Sequence, residues 1–190
     1  FRFYNPSGPE ELNLFPTRSY FCTDIRIFLA TNPLVSLLFG SRVARPVSLH
    51  DAIANVVIPG AGRNRSGLQM VYERDVPELA RLARGAPAQG VQSSAQGGKM
   101  RIRYREQGRP MEEEFFAAVS QFVVRMSGSG HSGGYFINYW YVDYAFSCRD
   151  EQGRLDSNAG IFKTMIFSMK VNPQWFAKVA NVKEMLARKN

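Results

Sequence analysis

The feature that most constrains the fold is an aromatic run at residues 134–149, GYFINYWYVDYAFSCR. Successive side chains of a β-strand point to opposite faces, so a strand here divides the run into two sets. One set comprises Phe136, Asn138, Trp140, Val142, Tyr144, Phe146 and Cys148. The other comprises Tyr135, Ile137, Tyr139, Tyr141, Asp143, Ala145 and Ser147. Because neither set is polar enough to lie against water, we predict a central strand with other parts of the chain packed on both faces.

The order of the remaining segments predicts an α+β fold rather than alternating βαβ units. Strands are expected at 20–30 and 68–74, and helices at 48–58, at 76–84, after 156 and from 172. Ser48 is expected to cap the first helix, with Asp51 in its first turn. The sequence GAPAQGVQSSAQGG at 85–98 has no aromatic or charged side chain, which predicts a flexible loop.

One globular unit is expected, in two parts. Residues 1–46 form an N-terminal part that packs on the α+β domain of residues 47–190. Within it, the prolines and aromatics of residues 1–16 predict an irregular arm that leads into the first strand.

A hairpin is expected between residues 99–106 and 111–126, with its turn at Gln107 and Gly108. The resulting register pairs Arg103 with Glu112, Arg101 with Glu114, and Tyr104 with Met111. It also places four basic residues on one face of the first hairpin strand: Lys99, Arg101, Arg103 and Arg105, called the basic stripe below.

The basic stripe is a candidate surface for anionic partners, since the chain carries a net charge of +8 and has a pI near 9.8. The more frequent meaning is a solvated face neutralised by the acidic residues at 112–114. Nucleic-acid binding is disfavoured, because the basic residues are scattered along the chain. No apolar run reaches the roughly 18 residues of a membrane helix.

No motif for catalysis, a cofactor or a metal meets its structural requirements. GHSGG at 130–134 matches G-x-S-x-G, but a strand follows it and no histidine lies downstream of Ser132. Two histidines and two cysteines in unrelated segments give no zinc spacing. Lys99 follows two glycines, but Met100 stands where a P-loop requires Ser or Thr. We therefore predict no catalytic residue, no cofactor and no metal.

Four residues of the aromatic run form a second candidate site: Tyr135, Tyr139, Tyr141 and Asp143. Tyrosine rings beside an acid are able to line a ligand cleft or to stack on bases or sugars. At strand spacing such rings are more often part of a core.

The two cysteines, Cys22 and Cys148, leave two alternatives of equal weight. A disulfide between them would close a long loop and place the protein outside the cytosol. Two separate buried thiols are the other reading, since free cysteine behaves as a small hydrophobic residue.

The C-terminal part, from about 111 to 186, carries a recurring order of features. A long hairpin leads to the aromatic strand ending at Arg149, and a helix with Ser168 precedes the join K-x-N-P-x-W at 170–175. This order resembles exported bacterial proteins and lipoproteins of the Mog1/PsbP-like type. The resemblance implies an antiparallel sheet with helices on both faces, a role in assembly or interaction, and no catalytic residues.

Together these observations predict a non-enzymatic interaction or assembly module of the bacterial cell envelope that binds a protein partner. The expected location is periplasmic or otherwise exported, with the cytoplasm left open. A small-ligand binder or weak enzyme that uses the tyrosine face is the first alternative. An anionic-surface binder that uses the basic stripe is the second.

Overall fold

The computed structural model describes the following parts of the chain: residues 1–24, 37–38, 41–86, 88–126 and 134–168. Contacts group the chain into two compact units, Phe1–Leu155 and Asp156–Asn190. The predicted division at residue 46 stays a prediction. In the second unit, helix α3 (Ala159–Ser168) buries Phe162 and exposes Ile161.

The first unit contains a sheet of nine strands in the part of the chain that the structure describes. The strands are β1 (Arg2–Tyr4), β2 (Glu11–Leu14), β3 (Arg18–Thr23), β4 (Leu37–Leu38), β5 (Ser41–Val43), β6 (Ser66–Asp75), β7 (Val91–Glu106), β8 (Arg109–Met126) and β9 (Tyr135–Glu151). Their order is β4-β5-β3-β9-β8-β7-β6, and β2 pairs with both β1 and β9. Only the β3–β5 pairing among these is parallel.

The predicted hairpin is confirmed in its register as well as its turn. Arg103 lies opposite Glu112, Arg101 opposite Glu114, and Tyr104 opposite Met111. Gln107 and Gly108 have φ angles of 51° and 82°. Two residues with positive φ make the type I′ turn, whose twist matches that of the strands it joins.

The first helical segment begins as the sequence predicts. Helix α1 runs through three consecutive pieces: Leu49–Ala52, a π-helical stretch Ile53–Val57, and a last turn Ile58–Gly60. The Ser48 hydroxyl accepts a hydrogen bond from the backbone N–H of Asp51 at 3.0 Å, which caps the helix. Helix α2 (Pro77–Ala83) buries Leu79 and Ala83 and exposes Leu82.

The predicted α+β, Mog1/PsbP-like sandwich, with helices covering both faces of the sheet, is wrong. The fold is mainly an antiparallel sheet, and the described helices are short. α1 packs on one face, called the α1 face below, against Ile102, Phe115 and Val142. α2 packs on a small part of the opposite face, against Gly97 of β7 and Ala118 of β8. Strands β7, β8 and β9, with 16, 18 and 17 residues, are far longer than either helix.

The predicted irregular arm is also wrong, because residues 1–16 contain two strands. β2 pairs along the end of β9, with Leu12 opposite Cys148, and β1 pairs with β2. Leu12 is completely buried. The prolines that suggested an irregular arm fall in the β1–β2 and β2–β3 connections, where proline removes no ladder hydrogen bond.

The predicted flexible loop at 85–98 is wrong over its second half, since β7 begins at Val91. A Cβ atom on Gly97 would lie 2.5 Å from the backbone nitrogen of Ala80 in α2. A Cβ atom on Gly98 would lie 2.6 Å from the Leu49 side chain in α1. These glycines let one helix approach each face of the strand, so their role is close packing rather than flexibility.

The aromatic run is a central strand, as predicted, but its two faces exchange along its length. Tyr144 has a φ of 50°, and the pairing of β8 with β9 shifts register at this point. An extra residue of this kind makes a β-bulge, which reverses the direction of the side chains that follow. Phe146 therefore lies opposite Phe116 on the same face as Asp143, not on the face of Trp140.

Candidate functional site

The predicted tyrosine face is half-buried and does not surround one cavity in the described structure. The Tyr139 ring meets Phe21 edge-on at 5.3 Å, and the Tyr141 ring meets Phe122 at 5.9 Å. Tyr135 lines a cavity of about 490 Å³, whereas Asp143 lines another of about 480 Å³. At a strand rise of about 3.3 Å, Tyr135 and Asp143 are about 26 Å apart. A ligand site shared by these residues stays a prediction.

The basic stripe is turned inward at its centre. Arg101 is buried, and its Nε lies 3.3 Å from Glu114 Oε1. Its guanidinium also lies over the Tyr72 ring at 5.0 Å from the ring centre. Lys99 Nζ lies 3.2 Å from the same Glu114 oxygen. These two cations are therefore engaged within the protein.

The outer end of the basic stripe is exposed. Arg103 Nε donates to Glu112 Oε1 at 2.8 Å, but the Arg103 side chain is 45% exposed. Arg105 is exposed and donates to the carbonyl of Gly108 at 3.1 Å. Only two residues of the stripe therefore present charge to solvent.

A second charged cluster lies on the α1 face and was not found from the sequence. It consists of six residues, called the Glu113 network: Glu11, Arg63, Arg65, Glu106, Glu113 and Arg149. Five of them are less than one-tenth exposed at the side chain, and Glu106 is 24% exposed. The sequence does contain one sign of this network: polar residues occur at every second position of otherwise apolar strands, as in Glu11 with Asn13 and Ser147 with Arg149.

Arg63 and Arg65 of this network lie in the segment that directly follows the end of α1. Gly62 has a φ of 61° and its N–H bonds to the carbonyl of Pro59 at 3.0 Å, which ends the helix. Arg65 Nη1 then donates to the Ile58 carbonyl at 3.1 Å, where a cation suits the C-terminal end of a helix.

Glu113 is the inner centre of the network and is completely buried. Its carboxylate accepts from Arg65 Nη2 at 2.9 Å, from the Tyr104 hydroxyl at 2.9 Å and from the Ser147 hydroxyl at 2.8 Å. The Arg65 guanidinium also lies over the rings of Tyr104 and Phe115, at 5.1 and 5.4 Å. These donors and the paired cation satisfy the hydrogen-bonding capacity of a carboxylate that water cannot reach.

The outer half of the network is shared between Glu11 and Glu106. Arg63 bonds to Glu11 through Nη2 and to Glu106 through Nη1, the latter at 3.3 Å. Arg149 Nη1 donates to the other oxygen of Glu106 at 2.5 Å. Arg2, which is more than half exposed, donates to Glu11 Oε2 at 2.7 Å. Three guanidinium groups thus meet two carboxylates here.

The pKa shifts follow from this arrangement. Burial alone would raise the pKa of Glu106, but the charges and hydrogen bonds of Arg149 and Arg63 outweigh burial and lower it. Burial, followed by the positive charge of Arg149, lowers the pKa of Arg63. Burial, followed by the charge of Glu113, raises the pKa of the Tyr104 hydroxyl, so Tyr104 stays a hydrogen-bond donor.

A polar cavity of about 440 Å³ opens beside the outer half of the network. Its walls include Arg2, Asn13, Arg63, Asn64, Glu106 and Gln107. Because several charged groups and amides converge on one concavity of this volume, the site has the size and polarity for a small hydrophilic ligand.

The sheet also has an open edge at β6. Within the described structure β6 pairs only with β7, and its apolar residues Leu68, Met70 and Val71 are 48%, 55% and 38% exposed. Register shifts occur between Ser66 and Gln69 and between Met70 and Tyr72. An edge with exposed apolar side chains is a site at which other chains are able to dock.

The structure shows Cys22 and Cys148 as two free, buried thiols. Cys22 lies opposite Asn138 of β9, ten positions from Cys148. That separation is about 33 Å along the strand, far beyond the reach of a disulfide. Burial, followed by Glu114 and Glu113, raises the pKa of Cys148 to about 12, which makes it an unreactive thiol.

No helix in the described ranges has the length and apolar character needed to cross a membrane. No group of three or more His, Cys, Asp or Glu side chains in those ranges is placed to hold a metal ion. The motif GHSGG lies at its centre outside the described residues.

No protein-family model, no curated protein and no solved structure matches this chain.

Proposed function

We propose that this protein is a non-enzymatic interaction module that binds an extended, acidic segment of a protein partner along β6. The observation that carries the proposal is the row of exposed apolar side chains, Leu68, Met70 and Val71, on a strand at the open edge of the sheet. Exposed apolar residues that are contiguous on one element mark interaction sites more often than isolated ones do.

The edge offers main-chain as well as side-chain contacts. A partner strand that adds to a sheet edge gains hydrogen bonds from the backbone, and side-chain pockets give specificity. The register shifts disturb the first part of β6, so regular pairing is available at residues 72–75. The apolar residues at 68–71 then supply the remaining contact.

The charge around β6 selects the partner. Arg74, Arg103 and Arg105 are exposed on β6 and the adjacent β7, and they outnumber Glu73 and Asp75, the exposed acids of β6. Glu73 is also partnered, because its Oε2 accepts a hydrogen bond from His50 Nδ1 at 2.7 Å. The chain as a whole carries a net charge of +8. Positive potential of this kind raises the association rate of acidic partners and rejects basic ones. Location in the cell envelope stays a prediction of the sequence resemblance.

The test is a peptide selection on the whole chain, with a random peptide library displayed on phage. We expect selected peptides to combine acidic and apolar residues, and to slow hydrogen exchange of the β6 amides. Met70→Glu should weaken binding of the selected peptides at least tenfold, because it adds a negative charge to the apolar row.

The matched control is Leu82→Glu, which places the same charge at another exposed apolar position, on α2. It should leave the affinity unchanged. Peptides that protect amides elsewhere, peptides that lose affinity equally in both variants, or a selection that yields no binder would each contradict the proposal.

A further inference from the structure

We infer that the cavity beside the Glu113 network is a binding site for a small hydroxylated monocarboxylate, such as a sugar acid. This inference is independent of the β6 proposal, since the cavity is lined by the segment between α1 and β6 and by the β7–β8 turn, and by none of the residues of β6. Three properties of the cavity lead to it: its charge, its free donors and its single carboxylate.

The charge at the cavity is unbalanced. Arg2, Arg63 and Arg149 converge on Glu11 and Glu106, so three positive groups face two negative ones. The inner pair, Arg65 with Glu113, is already balanced. A positive charge held away from water is stabilised by an anion, and one bound monoanion makes the outer half neutral.

Donors remain for that anion. Arg63 is nine-tenths buried and lines the cavity. In the described structure each of its two Nη atoms donates a single hydrogen bond, Nη1 to Glu106 and Nη2 to Glu11. Its Nε has no partner there. The remaining Nη–H groups suit a carboxylate, whose two oxygens match the planar guanidinium fork.

The rest of the wall defines the class of anion. Glu106 repels a second negative charge, which disfavours a phosphate dianion, and its oxygens accept hydrogen bonds from hydroxyl groups. The side-chain amides of Asn64 and Gln107 make no hydrogen bond within the described structure and are able to donate and accept. Hydroxyl groups on the ligand satisfy both kinds of partner. A volume of about 440 Å³ accommodates a molecule of monosaccharide size.

The experiment is isothermal titration calorimetry of the whole chain with D-glucuronate and D-glucose, which share a ring and differ in the carboxylate. We expect glucuronate to bind at least tenfold more tightly than glucose, because a charge-assisted hydrogen bond to arginine contributes more than a neutral one. Arg2→Gln should weaken glucuronate at least tenfold, and Asn64→Ala about threefold.

Arg42→Gln is the matched control, since Arg42 is an exposed arginine on β5 that does not line the cavity. It should bind glucuronate like the parent. Arg2 and Asn64 are exposed, so both variants should fold, and circular dichroism checks this. Equal binding of the two sugars, no heat with glucuronate, or equal losses in Arg2→Gln and Arg42→Gln would overturn the inference.

Discussion

The two charged clusters lie on opposite faces of the same sheet, yet they are built in different ways. The basic stripe meets its acids across one hairpin, with sequence separations of 9 for Arg103–Glu112 and 13 for Arg101–Glu114. The ion pairs of the Glu113 network join residues at least 43 positions apart, from four strands and the end of α1. The first cluster is a local consequence of a turn, whereas the second exists only when the whole unit has folded.

Burial separates the two clusters further. Arg103 keeps contact with water, so its interaction is screened and weak. In the Arg65–Glu113 pair, by contrast, both side chains are buried. Removing one partner of a buried pair leaves the other charge without compensation, and this is costly.

The largest effect is expected from Glu113→Leu. The variant leaves the Arg65 guanidinium buried and without its carboxylate, and it also removes the acceptor of the Tyr104 hydroxyl. We expect a loss of about 3–5 kcal/mol in the free energy of unfolding. Urea unfolding followed by circular dichroism measures it. A loss below about 1 kcal/mol would show that the two clusters are energetically alike.

The same contrast between local and long-range contacts explains which features of the fold could be predicted from the sequence. The hairpin register was predicted correctly because Gln107-Gly108 fixes the turn and period-two alternation fixes the faces. The exchange of faces at Tyr144 was missed, because a bulge at a residue other than glycine leaves no mark in the pattern.

The α+β sandwich failed for a related reason. Residues 91–98 were predicted to form a loop because they lack large side chains. In the structure they belong to β7, and the absence of side chains at Gly97 and Gly98 lets α2 and α1 pack closely on this strand. The Glu113 network was missed because Arg63 and Arg149 approach each other only through long-range pairing. Long-range contacts of this kind cannot be derived from local spacing.

An intermediate effect is expected from acidification, through the outer half of the network. Arg149 and Arg63 lower the pKa of Glu106 in the folded state, despite its partial burial. The stability that Glu106 contributes is therefore fully present above its unfolded pKa, about 4.3. It is lost as the pH falls through the lower, folded value, because the unfolded chain then binds the proton more readily.

The measurement is the free energy of unfolding from pH 7 to pH 3 for the parent and for Glu106→Gln. We expect the variant to be less stable at pH 7 and to lose less stability on acidification. Parallel curves for the two proteins would show that Glu106 titrates alike in both states, and that the outer half of the network behaves as a surface pair.

The smallest effect is expected from Arg103→Ala, at the exposed end of the basic stripe. Glu112 is buried and loses the donor at 2.8 Å, but Arg101 Nη1 lies 3.8 Å from its other oxygen and continues to neutralise it. Because the Arg103 side chain is nearly half exposed, we expect a loss of at most about 1 kcal/mol. The loss should shrink in 1 M salt, where the Debye length falls to about 3 Å. A loss of the size expected for Glu113→Leu would mean that Arg101 does not compensate Glu112. The burial of each carboxylate would then decide how much stability is lost when its partner is removed. Whether the cluster is local or long-range would not.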